Sequence, residues 1–355
     1  MNGSPSDPPP ERSGPLSPTS NTEPPQEPLE QIVAKAFIGP NGIRAGWRLV
    51  IFVIIVVALG VGLAVVTTAV THKRPAPPSG ELPPGVALLS EVAQFLIVLF
   101  AAWVMSKMER RRIADYGLPL RQAFRGQFWQ GVVIGFASIT VLVFAMRFAG
   151  AFRFGVLALH GAAIWKYAAA WGVVFLFVGF FEEFAVRGYP LFTLTTGMTF
   201  WPSAIVLSLA FGLGHRGNSG EDWVGVATAG GAGLLFALLL RRTGNLWMPI
   251  GFHAAWDWGQ TYFYGVPDSG LMGKGHLFRS ITSGPAWLSG GSVGPEGSWL
   301  CVILLVVLAI IFALWLGEAK YPNPDAVSRR PAFGAGTAAG RDGETLPSLF
   351  PPSSS

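Results

Sequence analysis

The chain contains the run FLFVGFFEEFAVRGYPLF at residues 175–192, and this run decides the class of fold. It lies within an apolar stretch from about residue 163 to 195, which Glu182, Glu183 and Arg187 interrupt. A helix needs about 20 mainly apolar residues to cross a bilayer, and this stretch is longer. Ionisable groups inside a span are costly, so they usually face a cavity or a partner and serve a function. The run therefore predicts a membrane helix that carries a polar site.

The composition of the whole chain points the same way. Of its 355 residues, 51% are hydrophobic and 13% are charged, and the mean hydropathy is +0.45. A soluble domain is about one quarter charged, so we exclude a water-soluble globular enzyme. The net charge of +5 comes without a basic stripe with interleaved aromatics, which excludes a nucleic-acid-binding protein. Cys301 is the single cysteine, which excludes an internal disulfide or a CxxC metal site.

Apolar runs along the chain predict an all-α, polytopic membrane helix bundle of about eight transmembrane helices around an intramembrane polar cavity. The runs are 49–70, 86–105, 128–146, 163–195, 201–215, 224–240, 249–264 and 299–316. Gly131 and Gly135 have the small-xxx-small spacing that suits close helix packing. We expect the transmembrane domain to cover residues 31–320. The Pro-rich segments 1–30 and 321–355 cannot bury enough apolar surface to order themselves, and we expect them to be disordered tails.

Lysine and arginine residues near the span ends predict the orientation. They are about twice as frequent on the side that holds both termini, which favours cytoplasmic termini. The Gly-rich segment 265–298 would then be a long outer loop. The composition suggests a bacterial inner membrane.

The polar residues of the apolar runs lie at three places. Glu183 and Arg187 are four residues apart, on one helix face, and can form an ion pair. Glu182 points about 100° away from them on a helix with 3.6 residues per turn and has no local cation. His215 ends the fifth run. His253 and Asp257, again four residues apart, open the seventh.

Each place alone has a structural explanation: a helix-locking salt bridge, an interfacial histidine, or a local hydrogen bond. Together they favour a shared site. A turn near residues 197–202 puts Glu182 and His215 both about 20 Å from the tip of an antiparallel hairpin, and hence at one depth. These carboxylates, two imidazoles and an arginine would converge in one cavity, and this set suits general acid–base chemistry.

The motifs Glu182-Glu183-x-x-x-Arg187, Phe211-x-x-x-His215 and His253-x-x-x-Asp257, in this order, resemble the CPBP family. This family includes the type II CAAX prenyl proteases and the bacteriocin-processing (Abi) proteins, and the motif-bearing core here covers residues 163–264. The resemblance implies an integral-membrane endopeptidase with lipid bilayer and a protein or peptide substrate as partners. It implies the catalytic residues Glu182, His215, His253 and Asp257, with Glu183, Arg187 and Phe211 in support.

The resemblance also implies roles for these residues. Glu182 and His215 would bind and activate water, and His253 with the residue at 257 would stabilise the oxyanion. Eukaryotic relatives have Asn at this last position. An ionised Asp257 cannot donate to an oxyanion, so it would act protonated or would orient His253.

Two questions stay open at the level of sequence. Glu182, His215 and His253 are an acceptable ligand set for catalytic zinc, but the chain lacks HExxH, and a metal-free mechanism based on glutamate is favoured. The alternative to a peptidase is a catalytically silent membrane scaffold or bacteriocin-immunity-like factor that uses the same cavity for binding. A transporter is less favoured because the chain shows no inverted internal repeat.

Overall fold

The computed structural model describes residues 28, 35–39, 42–71 and 80–324. Nearly all of the predicted tails 1–30 and 321–355 lies outside the described residues. Tyr321, at the start of the second tail, is described and is buried, with its ring against Phe192 and Phe200.

The described part of the chain is almost entirely helical. Its α-helices are α1 (Ala45–Thr71), α2 (Pro84–Glu109), α3 (Gly126–Phe148), α4 (Ala162–Glu183), α5 (Tyr189–Met198), α6 (Phe200–His215), α7 (Trp223–Thr243), α8 (Trp247–Trp258), α9 (Ala286–Ser289) and α10 (Trp299–Trp315). Short strands form two antiparallel pairs. Strand β1 (Ile38–Gly39) pairs with β2 (Gly42–Ile43), and β3 (Phe152–Arg153) pairs with β4 (Ile281–Thr282).

All eight predicted runs are helical, and the chain is a polytopic helical membrane protein. Among the described residues, five helical segments are long and apolar enough to cross a membrane: α1, α2, α3, the continuous segment Ala162–Met198, and α7. Helices α6 and α10 are apolar but shorter. The predicted seventh helix consists of α8 and a π-helical turn, Gly259–Tyr264, that follows it.

Helices α3 and α8 approach each other at the two glycines that the sequence singled out. A Cβ atom on Gly131 would lie 2.2 Å from the carbonyl oxygen of Met248, and one on Gly135 would lie 2.2 Å from that of Phe252. No side chain fits at these distances, so glycine is required for the two backbones to meet. The predicted close packing is confirmed, and it fixes the helix that carries His253.

The continuous segment Ala162–Met198 changes from α-helical to π-helical geometry directly after Glu182 and Glu183. Helix α4 ends at Glu183 and continues into α5 through a π-helical turn, Phe184–Gly188. Pro190 has no N–H, so the carbonyl of Val186 has no donor at the usual α-helical position. The wider π-helical turn accommodates this missing hydrogen bond. Such turns occur often at functional sites.

The predicted outer loop 265–298 is folded back onto the helices. Its backbone pairs with the residues just before α2, where Leu82 N–H donates to Met272 O at 2.7 Å, and with the segment before α4, where Arg279 N–H donates to Val156 O at 3.0 Å. His276 in this loop is buried. The loop therefore covers one end of the helix bundle and reaches the cavity described next.

Candidate active site

A cavity of about 200 Å³ lies between α2, α4, α6, α7, α8 and the folded loop. The four residues predicted to be catalytic, Glu182, His215, His253 and Asp257, all line it. Phe211, predicted to support them, lines it as well. Residues from α4, α6 and α8 thus reach one space, as the hairpin argument from the sequence requires.

His253 lies at the centre of the acidic groups. Its Nδ1 atom is 2.9 Å from Oε1 of Glu183, and its Nε2 atom is 3.7 Å from Oε2 of Glu182 and 3.5 Å from Oδ2 of Asp257. The ring stacks on Phe236 of α7 with 5.3 Å between centroids. Because a carboxylate only accepts, Nδ1 donates to Glu183, and Nε2 is the atom that faces the cavity.

Glu183 and Arg187 form the predicted ion pair, at 3.2 Å between Oε1 of Glu183 and Nη1 of Arg187. Both residues are buried, at 0% and 1% exposure. The guanidinium of Arg187 lies over the ring of Phe211, 4.5 Å from its centroid. The pair holds the π-helical turn against α6 and presents Glu183 to His253.

His215 at the end of α6 presents one ring nitrogen to the cavity. Its Nδ1 atom is 2.8 Å from the carbonyl oxygen of Phe211, and a carbonyl can only accept, so Nδ1 carries the proton. In the neutral ring, Nε2 then has the free lone pair. The Phe211 ring meets the imidazole edge-on at 4.5 Å and fixes its orientation.

The cavity is also lined by four acidic residues that were not predicted from the sequence to belong to the site: Glu91, Glu221, Asp268 and Glu296. Glu91 could have been found, because it is a charge inside an apolar run of α2 and the same rule selects Glu182. The other three lie in polar or glycine-rich connections between helices. Acidic residues are common in such segments, so their presence there does not indicate a functional site. Among the described residues, the side chains that line the cavity include six carboxyl groups and two imidazoles, and no lysine or arginine.

The loop acids are held by specific hydrogen bonds. Glu296 accepts from the indole N–H of Trp256 at 2.9 Å and from the hydroxyl of Ser269 at 3.2 Å, and Asp268 accepts from the hydroxyl of Thr261 at 3.1 Å.

Burial and mutual repulsion change the acidity of two of these groups. Burial raises the pKa of Asp268 well above its usual value, and the Asp257 and Glu296 carboxylates raise it further. Burial also raises the pKa of Glu221 to about 7, with a second contribution from Glu296.

The zinc ligand set considered from the sequence does not fit this geometry. In the described part of the chain, the one group of three metal-ligating side chains whose ligand atoms all lie within 4.8 Å of one another is Asp257, Asp268 and Glu296. Glu182, His215 and His253 form no such group, whereas tetrahedral zinc with bonds of about 2.0–2.2 Å needs tightly converging donors. The observed trio also offers oxygen donors only, which zinc does not prefer.

One comparison with known families found a match. Residues 164–259 match the family model described as Type II CAAX prenyl endopeptidase Rce1-like. The matched segment includes Glu182, His215, His253 and Asp257. No curated protein matches the chain. The resemblance drawn from the three motifs is confirmed.

Proposed function

We propose, from the Rce1-like type II CAAX prenyl endopeptidase domain at residues 164–259, that this protein is an intramembrane endopeptidase that activates water with Glu182 and His215. The observation that carries the proposal is the position of His253. It is within 4 Å of three carboxylates from two helices, in a cavity that it shares with His215.

The first step is attack by water. The Glu182 carboxylate takes a proton from the water molecule while the Nε2 lone pair of His215 orients it. The water oxygen adds to the carbonyl carbon of the substrate peptide and gives a tetrahedral intermediate. The C–N bond then breaks, and the proton held by Glu182 moves to the leaving nitrogen. Water exclusion around these groups strengthens each electrostatic interaction.

His253 stabilises the negative oxygen of that intermediate. With Nδ1 bound to Glu183, the protonated ring directs its Nε2–H toward the cavity. Asp257, 3.5 Å from Nε2, orients the ring and balances its charge, which is a role that an ionised aspartate can perform. Arg187 acts one step further away, because it holds the carboxylate of Glu183.

The mechanism is metal-free at these residues. We expect cleavage to persist in the presence of a zinc-selective chelator. Loss of activity there, with recovery on adding zinc, would instead assign a catalytic metal to the imidazoles.

The substrate is a peptide segment that enters from the membrane, either the tail of a membrane-associated protein or a precursor peptide. The excess of lysine and arginine on one side supports cytoplasmic termini in a bacterial inner membrane. In that orientation the loop 265–298 closes the cavity from the opposite side.

Two variants and a matched control test the function. Membranes from cells that carry wild-type protein, Glu182→Gln or His215→Ala are compared by quantitative proteomics of new peptide termini. Glu318→Gln is the control, because Glu318 is an exposed acid after α10. We expect termini that appear with wild-type protein and Glu318→Gln and vanish with the two site variants.

Equal cleavage by all four proteins would contradict the proposed roles. No new terminus in any of them would favour the silent scaffold instead.

A further inference from the structure

The π-helical turn after Glu183 ends at a residue that is anchored outside the cavity. Tyr189 is the first residue of α5, directly after the turn Phe184–Gly188, and its side chain is buried. Its hydroxyl donates to Oε1 of Glu109, the last residue of α2, at 2.6 Å. A hydrogen bond to an ionised carboxylate is stronger than one between neutral groups, so this contact ties the start of α5 to the end of α2.

Glu109 is itself held by two arginines from other parts of the chain. Its Oε2 atom is 3.1 Å from Nη1 of Arg48 in α1 and 3.3 Å from Nε of Arg111, just after α2. Arg48 also donates from Nη2 to the hydroxyl of Thr196 in α5, at 2.6 Å. Because Glu109, Arg48 and Arg111 are all buried, α5 is bound at two points to one buried cluster of charges.

The direction in which Tyr189 points depends on the π-helical turn. Such a turn contains one residue more than the α-helical turn that it replaces. If it relaxed to α-helical geometry, every residue after it would rotate by about 100° relative to α4. The hydroxyl of Tyr189 would then no longer face Glu109. π-Helical turns are rare, so contacts outside the turn have to maintain this one.

Such contacts hold the helix on both sides of the turn. On the α4 side, Oε1 of Glu183 is 2.9 Å from Nδ1 of His253, in a different helix. On the α5 side, Tyr189 is bonded to Glu109, and its ring meets that of Tyr116 edge-on at 5.1 Å between centroids. A change of register at the turn would break one of these two sets of contacts.

We propose that Glu109 and Tyr189 are positioning residues of the peptidase. Their hydrogen bond holds the π-helical turn in the register that presents Glu182 to the cavity and Glu183 to His253. This inference rests on the proposed function, because that function gives the two glutamates their roles. Glu109 and Tyr189 touch neither water nor substrate, and they act through the helix.

The test uses the full chain in a neutral detergent and two Tyr→Phe substitutions. Tyr189→Phe keeps the ring and removes only the hydroxyl that donates to Glu109. Tyr116→Phe is the matched control. Tyr116 is buried against the ring of Tyr189, but its hydroxyl has no hydrogen-bond partner among the described residues.

The register of α5 is measured as a distance by pulsed EPR. Nitroxide labels are attached through Leu96→Cys in α2 and Met198→Cys in α5, both of which replace exposed residues. The native Cys301 is buried, and protein without introduced cysteines controls for its labelling. A rotation of about 100° moves the end of a helical side chain by roughly 8 Å. We expect one distance in the wild-type and Tyr116→Phe backgrounds, and a second, shifted population in Tyr189→Phe.

Cleavage is measured with the unlabelled proteins, as new peptide termini in membranes, and is expressed per folded molecule. Misplacing a catalytic group by about 1 Å can cost 100-fold in rate, so we expect a loss of roughly tenfold or more for Tyr189→Phe. Tyr116→Phe should cleave as wild type. A merely structural role of the Tyr189 hydroxyl would lower Tm but would leave the label distance and the cleavage per folded molecule unchanged.

A single, wild-type distance in Tyr189→Phe would overturn the proposal, and so would an equal change in Tyr116→Phe. A shifted distance with unchanged cleavage would also overturn it, because the register would then have no effect on the reaction. The distance measurement needs no substrate, so its outcome is independent of the peptidase proposal, which fails through cleavage by Glu182→Gln.

Discussion

The Nδ1 atom of His253 lies 2.9 Å from Oε1 of Glu183, although the two residues are 70 positions apart in the chain. The same oxygen accepts from Arg187, while Oε2 of Glu183 has no hydrogen-bond partner among the described residues. One carboxylate oxygen thus balances a buried guanidinium and positions the imidazole. We therefore expect stability and catalysis to depend on Glu183 through two different neighbours, Arg187 and His253, and substitutions can separate the two effects.

Replacing Glu183 by leucine should lower both stability and activity. Arg187 would remain buried without its counter-charge, which costs about 3–5 kcal/mol of unfolding free energy. The double variant Glu183→Leu/Arg187→Met should recover most of that stability because no unpaired charge remains. Its cleavage rate should stay low, because His253 still lacks its acceptor. Thermal unfolding and kcat, measured on both variants, check this.

Recovery of both stability and kcat in the double variant would mean that Glu183 serves only the ion pair. Failure to recover stability would mean that the pair is not the buried charge balance described here.

The contact between α3 and α8 predicts a sharp difference between two Gly→Ala substitutions. Gly135→Ala forces a methyl group against the Phe252 carbonyl, and such overpacking costs about 1–3 kcal/mol. It should also displace the helix that carries His253 and lower cleavage. Gly62→Ala in α1 has nothing within 4 Å of its added methyl group and should leave Tm and activity at wild-type values. Equal behaviour of the two variants, in thermal unfolding and cleavage, would contradict the packing.

The sequence predicted the helices because apolar runs of this length have few alternatives in a bilayer. It predicted Glu182, His215, His253 and Asp257 because charges in apolar helices are costly and therefore conspicuous. The roles assigned to those residues remain predictions.

Sequence reasoning could not find Asp268 and Glu296 in the cavity. An acidic residue in a glycine-rich loop does not carry the energetic cost of a charge inside an apolar helix, so it does not stand out in the sequence. Its position in the structure depends on the folding of the whole loop. That folding rests on long-range backbone pairs such as Leu82 with Met272, which no local pattern encodes.

The raised pKa of Glu221 predicts a pH-dependent contribution to stability. The folded protein holds this proton up to a pH of about 7, whereas the unfolded chain releases it near the ordinary value of 4.5. Stability contributed by the protonated group is therefore present at pH 4.5 and lost as the pH rises to about 7. The Tm of wild-type protein should fall more from pH 5 to pH 8 than that of Glu221→Gln.

Glu318→Gln is the matched control and should retain the wild-type dependence. Parallel curves for wild type and Glu221→Gln would show that this carboxyl group is not the source.

Phe211 should act on catalysis through His215 and on stability through Arg187, since its ring contacts both. Phe211→Leu keeps an apolar side chain but removes the aromatic face, which costs about 0.5–2 kcal/mol for a buried guanidinium. It should also lower kcat roughly tenfold with little change in KM, because a loosened imidazole orients water less well. The same substitution at Phe148, which is 87% exposed on α3, should change neither quantity. A rise in KM at constant kcat for Phe211→Leu would instead place this ring in substrate binding.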